Sequence, residues 1–198
     1  LFTGGRGFAL KLLWDAVTPN TKWDDPENEL IIANGPICGI TAYPGSGKAA
    51  VVTISPETQN VMDCNVGGYF APFLKFSGFD ALELQGKADS DVIIFIDGDT
   101  GKVTIERDLL EEVDAHLIGK VLTERYGGEH DKGKRSISVL AAGQASEHIR
   151  IAMLNCTWYD VRRKETRLKQ AGRGGPGRIF RDKKIKAIAI RFTDMGGE

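Results

Sequence analysis

The stretch Asn65–Ala88 reads NVGGYFAPFLKFSGFDALELQGKA, and the rest of the chain can be interpreted around it. Its pattern predicts a polar entry, a turn at Gly67-Gly68, a short aromatic helix, a turn at Gly78 and a half-buried strand. Because glycine has no side chain, the backbone at Gly67 and Gly68 can approach a ligand closely or adopt a positive φ. The aromatic residues that follow predict a rigid apolar support for a ligand held by main-chain groups.

A second glycine-rich loop, GRGGPG at residues 172–177, comes about a hundred residues later. It matches G-x-G-x-x-G, but charged residues precede it where a dinucleotide fingerprint needs a buried strand, so we reject a Rossmann site. Pro176 favours the start of a helix, and we expect the amides that follow to face an anion. The chain is interpreted as a scaffold that brings the two glycine loops together.

The composition is that of a soluble globular protein of 198 residues, with 41% hydrophobic and 27% charged residues. This length suits one domain with a sizeable core, or two small ones. The net charge of −1 gives no overall field that would favour nucleic acid or an anionic membrane. No apolar run is long enough for a membrane span, and no secretory signal is present.

The cysteines are odd in number and far apart, at Cys38, Cys64 and Cys156. This arrangement suits reduced thiols in a cytosolic protein better than a disulfide framework. The chain begins without Met and stops at residues 195–198, just after a predicted strand. We therefore expect residues 1–198 to form one domain of a longer polypeptide.

The hydrophobic periodicity predicts an α+β fold that is rich in strands. Helices are expected over Phe8–Val17, from Leu109 to about Arg125 and, from its charged composition, over Asp160–Gln170, with a solvated loop at Gly127–Lys134. The other predicted strands are Leu30–Ala33, Ala49–Ile54, Asp91–Asp97, Lys102–Glu106, Ser136–Ala141, Ile149–Leu154 and Ile185–Arg191. These elements do not alternate strictly as βαβ units, which argues against a doubly wound sheet.

The loop PGSGK at residues 44–48 is similar to the end of a phosphate-binding P-loop. Ala42 replaces the first glycine of that motif, and Ala49 replaces the Ser or Thr that would contact magnesium, so a nucleoside triphosphate site is not expected. A lone lysine in a glycine loop is usually solvated. Only the second glycine loop makes Lys48 a candidate for binding an anion.

Direct metal binding by this chain is not expected. His116, His130 and His148 each lack a second ligand at helical spacing, and no cysteine pair has metal-ligand spacing. The basic run at residues 162–169 is interpreted as a solvated face because acidic residues elsewhere cancel its charge.

Several blocks of the sequence together resemble the N-terminal domain of the tungsten-containing aldehyde:ferredoxin oxidoreductases. They cover nearly the whole chain and occur in the order found in that family. The blocks are GGRG (4–7), DPENELIIANGP (25–36), SGK (46–48) with AVVTISP (50–56), the central stretch, AAGQASEHIRIAML (141–154), AGRGG (171–175) and KKIKAIAI (183–190). The resemblance implies a β-rich base domain with two sheets and a few helices.

The resemblance also implies a bis-pterin cofactor of tungsten, with molybdenum as the alternative metal, in which magnesium links the phosphates of the two pterins. Lys48 would contact phosphate, and Asn65 and Gly67 would bring main-chain groups to the pterin. Asn65 and Gln170 would contact the magnesium ion through their main chains. The full implied set for cofactor binding is Lys48, Asn65, Gly67, Gly68, Lys169, Gln170, Gly172 and Arg173.

Two departures from the family pattern indicate a divergent branch. Lys48 and Lys169 occupy positions that are usually Arg in aldehyde oxidoreductases, so phosphate would be held by a point charge rather than a bidentate fork. The segment Cys156–Leu168 is longer than the matching loop of the family. The substrate therefore need not be a simple aldehyde.

The function implied by the resemblance is the oxidation of aldehydes to carboxylic acids, with electrons passing through a [4Fe–4S] cluster to ferredoxin or a partner subunit. The cluster cysteines and the catalytic acid–base groups lie in later domains of the family, so no catalytic residue is assigned here. One alternative is a reductase of aromatic acyl-CoA thioesters in a multi-subunit complex. Another is a non-catalytic assembly module that has lost the cofactor. A cytoplasmic homo- or hetero-oligomer is expected.

Overall fold

The computed structural model describes residues 2–194, which fold into two β-sheets with helices around them. The α-helices are α1 (Gly5–Ala16), α2 (Phe70–Phe76), α3 (Ala115–Gly127), α4 (Asp131–Arg135) and α5 (Pro176–Asp182), with a 3₁₀ turn at Gln144–Glu147. The strands are β1 (Leu30–Asn34), β2 (Ala49–Ile54), β3 (Val61–Val66), β4 (Ala81–Leu84), β5 (Val92–Asp97), β6 (Lys102–Arg107), β7 (Ile137–Ala141), β8 (Leu154–Asp160), β9 (Glu165–Ala171) and β10 (Ile185–Arg191). The α+β class and the two-sheet architecture predicted from the sequence are confirmed.

The smaller sheet, sheet A, has four antiparallel strands in the order β3-β2-β1-β4. Its two central strands read LIIAN and AAVVTI and are buried along their whole length. Both faces of these strands are covered, which explains runs of apolar residues without polar alternation. Ala9 and Leu13 of α1 cover one face, and the main core covers the other.

The larger sheet, sheet B, has six strands in the order β6-β5-β10-β7-β8-β9, and only the β5–β10 pair is parallel. One face shares the main core with sheet A, through residues such as Leu140 and Ile188. The other face carries α3, whose Ile118 and Leu122 are fully buried. The order of layers is therefore α1, sheet A, the main core with α2 and α5, sheet B, and α3.

The prediction of a helix over Asp160–Gln170 was wrong. Residues 165–171 form β9, which pairs with β8 as a hairpin that turns at residues 161–164. In this segment, half-buried Thr166 and Leu168 alternate with exposed charged residues. This alternation has the period of a strand, whereas composition alone suggested a helix.

Other boundaries were also placed incorrectly. The strand expected over Ile149–Leu154 begins only at Leu154, and the helix expected from Leu109 begins at Ala115, where Asp114 caps the amides of residues 116 and 117. Leu109 is 80% exposed and does not belong to the buried face of that helix. The loop expected over Gly127–Lys134 contains α4, and the strand β3 was not predicted.

Among residues 2–194, no helix combines the length and the apolar character that crossing a bilayer requires.

Buried charged groups tie α5 and β10 to the rest of the fold. Arg181 is 4% exposed and binds Asp91 at 2.6 Å and Glu147 through Nε at 3.1 Å. Lys183 is 2% exposed, and its Nζ donates to the carbonyl of Gly86 at 2.9 Å. Since an unpaired buried charge is costly, these partners fix the position of α5.

A buried carboxyl group lies near Lys183, at the start of β1. Glu29 is 4% exposed, and its Oε2 atom has no hydrogen-bond partner among residues 2–194. Burial and the nearby carboxyl group of Glu83 raise the pKa of Glu29 from 4.5 to about 7, while Gln85 and Lys183 act in the opposite direction. The folded state therefore binds the Glu29 proton more tightly than the unfolded state does.

This pKa predicts how one group changes stability with pH. Because the folded pKa is the higher one, the contribution of Glu29 to stability falls as pH rises from about 4.5 to about 7. Glu29→Gln should remove this dependence. At each pH, the free energy of unfolding of wild type is subtracted from that of the variant. This difference should be more positive at about pH 8 than at about pH 5, by on the order of 2 kcal/mol.

Urea denaturation at the two pH values measures this difference, with Glu57→Gln as the control for loss of one exposed carboxylate. An equal effect of Glu29→Gln at both pH values would contradict the raised pKa.

Candidate functional site

The pairing of β2 with β3 places two of the predicted loops at the same end of sheet A. Ala49 and Val66 are the last pair of this antiparallel ladder. Lys48 and Gly67, the next residues outward, therefore lie opposite each other just beyond the end of the strands. An ideal Cβ on Gly47 would lie 3.9 Å from the carbonyl oxygen of Gly68. The loop that ends at Lys48 and the Gly67-Gly68 turn therefore lie side by side.

The second glycine loop approaches the same place from sheet B. A Cβ on Gly67 would lie 3.7 Å from Cγ of Lys169, and a Cβ on Gly174 would lie 2.8 Å from Cγ of Met62. The backbone of Arg173 hydrogen-bonds to the thiol of Cys64. The edge strand of sheet A and the end of β9 therefore meet, as the scaffold interpretation predicted.

The residues predicted for cofactor binding are thus on three neighbouring loops, and most are open to solvent. Exposed members are Lys48, Asn65, Lys169, Gln170, Gly172 and Arg173, while Gly67 and Gly68 are half-buried. Within residues 2–194, the side chains of Lys48, Lys169 and Arg173 form no ion pair. Three unneutralised cations around glycine backbone form a surface suited to phosphate.

The support beneath this surface is rigid. Gly68 has φ of 97°, and a Cβ there would lie 2.7 Å from Sγ of Cys156. Cys156 is fully buried, and backbone groups of Tyr69 and Phe70 hydrogen-bond to its thiol. The Tyr69 ring lies 5.8 Å from the Trp158 ring.

Sequence reasoning missed the part that β8 takes in this support. Cys156 was interpreted only as a reduced thiol, and Trp158 was not considered. Their contact with Gly68 depends on the register of the β8–β9 hairpin. A strand that ends at Leu154 and a helix over Asp160–Gln170 were instead predicted from the sequence. The alternation of buried and half-buried residues along β8 was the available signal.

Gly67 and Gly172 differ from Gly68, because the surrounding atoms leave room for a side chain at both positions. A Cβ on Gly67 would meet only Lys169 Cγ at 3.7 Å, and a Cβ on Gly172 would meet only Met153 Sδ at 3.7 Å. Both are ordinary contact distances. The space above these backbones is open, so a group carrying phosphates can approach them, and the residues present fit such a group.

The expected anion contact at the first turn of α5 is not supported. The amide of Gly177 donates to the carbonyl of Ala152, and the amides of Arg178 and Ile179 point to the carbonyl of Gly175. Pro176 does occupy the first turn of that helix, as predicted.

Direct metal ligands are not apparent in the described part of the chain. No group of three His, Cys, Asp or Glu residues within residues 2–194 could hold a metal ion. Burial raises the pKa of Cys38 and of Cys64 to about 11, so both thiols are protonated near neutral pH. His116, His130 and His148 are all exposed.

A cavity of about 360 Å³ lies elsewhere, between α5 and the start of β5. Arg181, Asp91 and Glu147 in its wall are bound to one another. These three charged groups therefore have structural partners, and we do not assign the cavity a ligand.

Residues 1–192 match the family model described as "Aldehyde ferredoxin oxidoreductase, N-terminal domain". The tungsten-containing aldehyde ferredoxin oxidoreductase of Thermococcus kodakarensis is 36% identical over 189 residues, and the matching enzyme of Pyrococcus furiosus is also 36% identical. In both comparisons the match covers 94% of this chain and 28% of the relative.

Two further matches have other activities in their names. The "Aliphatic sulfonate oxidoreductase, WOR-like subunit" of Pyrococcus furiosus is 30% identical, with 96% of this chain and 30% of that protein covered. The structure named "Active site complex BamBC of Benzoyl Coenzyme A reductase in complex with 1,5 Dienoyl-CoA" matches with a TM-score of 0.80 and 31% identity. That match covers 98% of this chain and 27% of the solved one.

The contact between Gly68 and Cys156 predicts a large effect of a single methyl group. Gly68→Ala should lower the free energy of unfolding by about 1–2 kcal/mol for the left-handed backbone and by about 1–3 kcal/mol more for overpacking against Cys156. Gly78→Ala is the matched control, because Gly78 has φ of 87° and a Cβ there would meet nothing within 4 Å. Chemical denaturation compares the two. Equal losses would show that the Cys156 contact does not constrain the turn.

Proposed function

The chain belongs to the N-terminal domain family of aldehyde ferredoxin oxidoreductases, and from this premise we propose that it binds a tungsten–pterin cofactor within a longer enzyme. The observation that carries the proposal is the meeting of Lys48, Lys169 and Arg173, without ion-pair partners in residues 2–194, around the open backbone of Gly67 and Gly172. The relatives from Thermococcus kodakarensis and Pyrococcus furiosus described above as 36% identical are named tungsten-containing enzymes.

In this proposal the two lysines neutralise phosphate. Lys48 approaches from the edge of sheet A and Lys169 from β9, so the phosphates would bind where the two sheets meet. An ammonium group on a flexible stem holds phosphate as a point charge and does not fix its orientation. Orientation then depends on the backbone groups of Gly67, Gly68, Gly172 and Arg173.

Magnesium between the phosphates would be held by oxygen atoms, since this ion prefers octahedral oxygen ligands. Asn65 lies in β3 and Gln170 in β9, and both strands are at the edge of their sheets. An edge strand leaves some of its main-chain carbonyls unpaired. We propose that Asn65 and Gln170 contact magnesium in this way.

The whole protein is proposed to oxidise an aldehyde. One aldehyde and one water give one carboxylic acid, two protons and two electrons, and two molecules of a one-electron carrier such as ferredoxin accept those electrons. When bound, the tungsten–pterin group supplies the two-electron redox chemistry. The residues of this chain bind that group and hold it in place on a rigid support.

The rest of the machinery is placed outside this domain. The chain spans about 28% of the length of the curated relatives that it matches. We propose that residues 1–198 form one domain, and that a [4Fe–4S] cluster, the catalytic acid–base groups and the substrate pocket belong to further domains. Three buried free thiols suit a reducing compartment, so a cytoplasmic location is proposed.

A second candidate function is the reduction of an aromatic acyl-CoA thioester in a multi-subunit complex. The structural match to the benzoyl-CoA reductase complex favours it, with a TM-score of 0.80 over 98% of this chain. The two candidates differ in the substrate pocket, which must accept either a small aldehyde or a bulky thioester. Activity assays with both substrate classes on the full-length protein separate them.

Elemental analysis of the native full-length protein, purified without oxygen, tests the proposal. Tungsten together with roughly four irons per chain, as one [4Fe–4S] cluster contains, is the expected result. Molybdenum in place of tungsten would support the proposal of a pterin-dependent enzyme but would change the identity of its metal. Absence of both metals and of iron would favour a non-catalytic assembly module.

The phosphate assignment predicts the behaviour of a double variant. In full-length protein, Lys48→Ala with Lys169→Ala should lower the pterin content by about tenfold or more, because each charge-assisted hydrogen bond contributes about 1.5–3 kcal/mol. The thermal unfolding midpoint of the cofactor-free protein should not change, since both side chains are exposed. Pterin is measured by fluorescence after oxidative release.

The matched control is Lys22→Ala with Lys120→Ala, two exposed lysines on other surfaces. This control should retain its pterin. Equal pterin contents in the two double variants would exclude Lys48 and Lys169 as phosphate ligands.

A further inference from the structure

The hairpin formed by β8 and β9 carries a concentration of positive charge, and we call residues 154–171 the basic hairpin. It has five basic and two acidic side chains. Arg163 pairs with Asp160 at 2.8 Å, and Arg167 pairs with Glu165 at 3.0 Å. The remaining basic residues, Arg162, Lys164 and Lys169, have no ion pair within residues 2–194.

The turn of the basic hairpin, residues 161–164, lies on the surface of the described structure. All four of its residues are exposed. None of them lines any of four surface cavities of about 320 to 520 Å³ in residues 2–194. Asp160 pairs with Glu165 across the turn, and Lys164 has φ of 54°, so the chain reverses tightly at this point. An exposed charged turn outside these cavities suits contact with another protein better than enclosure of a small molecule.

One face of the basic hairpin is fastened to the helices. The hydroxyl of Tyr159 donates to Asp131 at 2.7 Å, and Nζ of Lys134 lies 5.7 Å from the centre of the Tyr159 ring. Gly119 of α3 lies so close to β8 that a Cβ there would be 2.2 Å from Oγ1 of Thr157. The hairpin is therefore held in one position although its turn is exposed.

The opposite face of the basic hairpin leads to the candidate cofactor site. Cys156 is paired with Lys169, and Trp158 is paired with Arg167. Because paired residues point to the same face of a sheet, these side chains lie on one face. Gly68 contacts this face at Cys156 and Trp158. The exposed turn and the phosphate-binding surface are thus two ends of the same rigid element.

We propose that the turn of the basic hairpin docks the acidic one-electron carrier protein that accepts electrons from the enzyme. This inference rests on the proposed function, in which each aldehyde delivers two electrons to two carriers. Each turnover then needs two docking events, which requires a complex that forms and dissociates quickly. Redox partners meet such a need with small interfaces and complementary charge.

The distribution of charge supports this partner over others. The chain as a whole has a net charge of −1, so it offers no extended field that would attract a nucleic acid along its length. Arginine is enriched in protein interfaces, and the turn presents Arg162 and Arg163, both exposed. Steering by unpaired cations such as Arg162 and Lys164 would raise the association rate with an acidic protein.

The test uses the full-length holoenzyme with Arg162→Gln and Lys164→Asn. Asparagine tolerates the left-handed backbone at position 164 and removes the charge. With an acidic ferredoxin as acceptor at low ionic strength, kcat/KM for ferredoxin should fall about tenfold, mostly through KM, and should depend less steeply on salt. With the small cationic dye methyl viologen as acceptor, activity should be that of wild type.

The matched control is Lys102→Gln with Arg107→Gln on β6, at the opposite edge of the same sheet. Both residues are exposed, and this control should leave kcat/KM for ferredoxin unchanged. An equal loss in the two double variants would show an effect of net charge alone and would overturn the proposal.

Two other results would overturn the docking proposal. Unchanged ferredoxin kinetics would show that the turn does not contact the carrier. A parallel loss of tungsten or of dye activity would assign the turn to cofactor retention or to folding. Absence of dye activity from the wild-type holoenzyme would instead overturn the proposed function, and the docking proposal with it.

Discussion

The close contact between Gly68 and Cys156 is the constraint on which the candidate site depends. It joins a loop of sheet A to a central part of sheet B with no room for a methyl group. Cys156 belongs to the same buried cluster as Phe70 and Phe73, and the Tyr69 ring packs on the rings of Phe73 and Trp158. Because a packed interior transmits small displacements, a shift of this turn would move Gly67 relative to Lys169, and the basic groups would no longer meet.

The buried charges of Arg181 and Lys183 also help to fix the place where the two sheets meet. Arg181 and Lys183 lie in and just after α5, directly after the second glycine loop, and their partners come from distant parts of the chain. A hydrophobic core alone allows one element to slide past another. Buried ion pairs and hydrogen bonds prevent such sliding, because it would leave their charged groups without partners. They therefore fix the position of α5 and of the glycine loop that precedes it. The unpaired cations of the site are exposed, where lack of a partner costs little.

The sequence was sufficient for the fold class, because the fully apolar strands such as β1 and the period of α1 are local signals. It was insufficient for β9, where the helix propensity of Arg167 and Lys169 competes with a short strand-like alternation, and pairing with β8 decides in favour of the strand. The candidate site shows the same division. Glycine loops are visible in the sequence, but the resemblance supplied the residue set, and the meeting of Lys48 with Lys169 depends on contacts between distant segments. No local pattern contains that information.

The exposure of the site indicates what else it requires. A drug-sized ligand has roughly 70–90% or more of its surface buried in a concave site. Here the side chains of Lys48, Lys169 and Arg173 lie on an open surface, and exposed apolar groups such as Tyr43 and Tyr69 lie on the loops beside them. These residues form a base that can bind phosphates from one side and leave the remainder of a ligand in water. A redox cofactor needs that water excluded around its reactive centre. Under the proposed function, exclusion of that water would require a second surface opposite the glycine loops, and we propose that the catalytic environment lies on that surface rather than on the base.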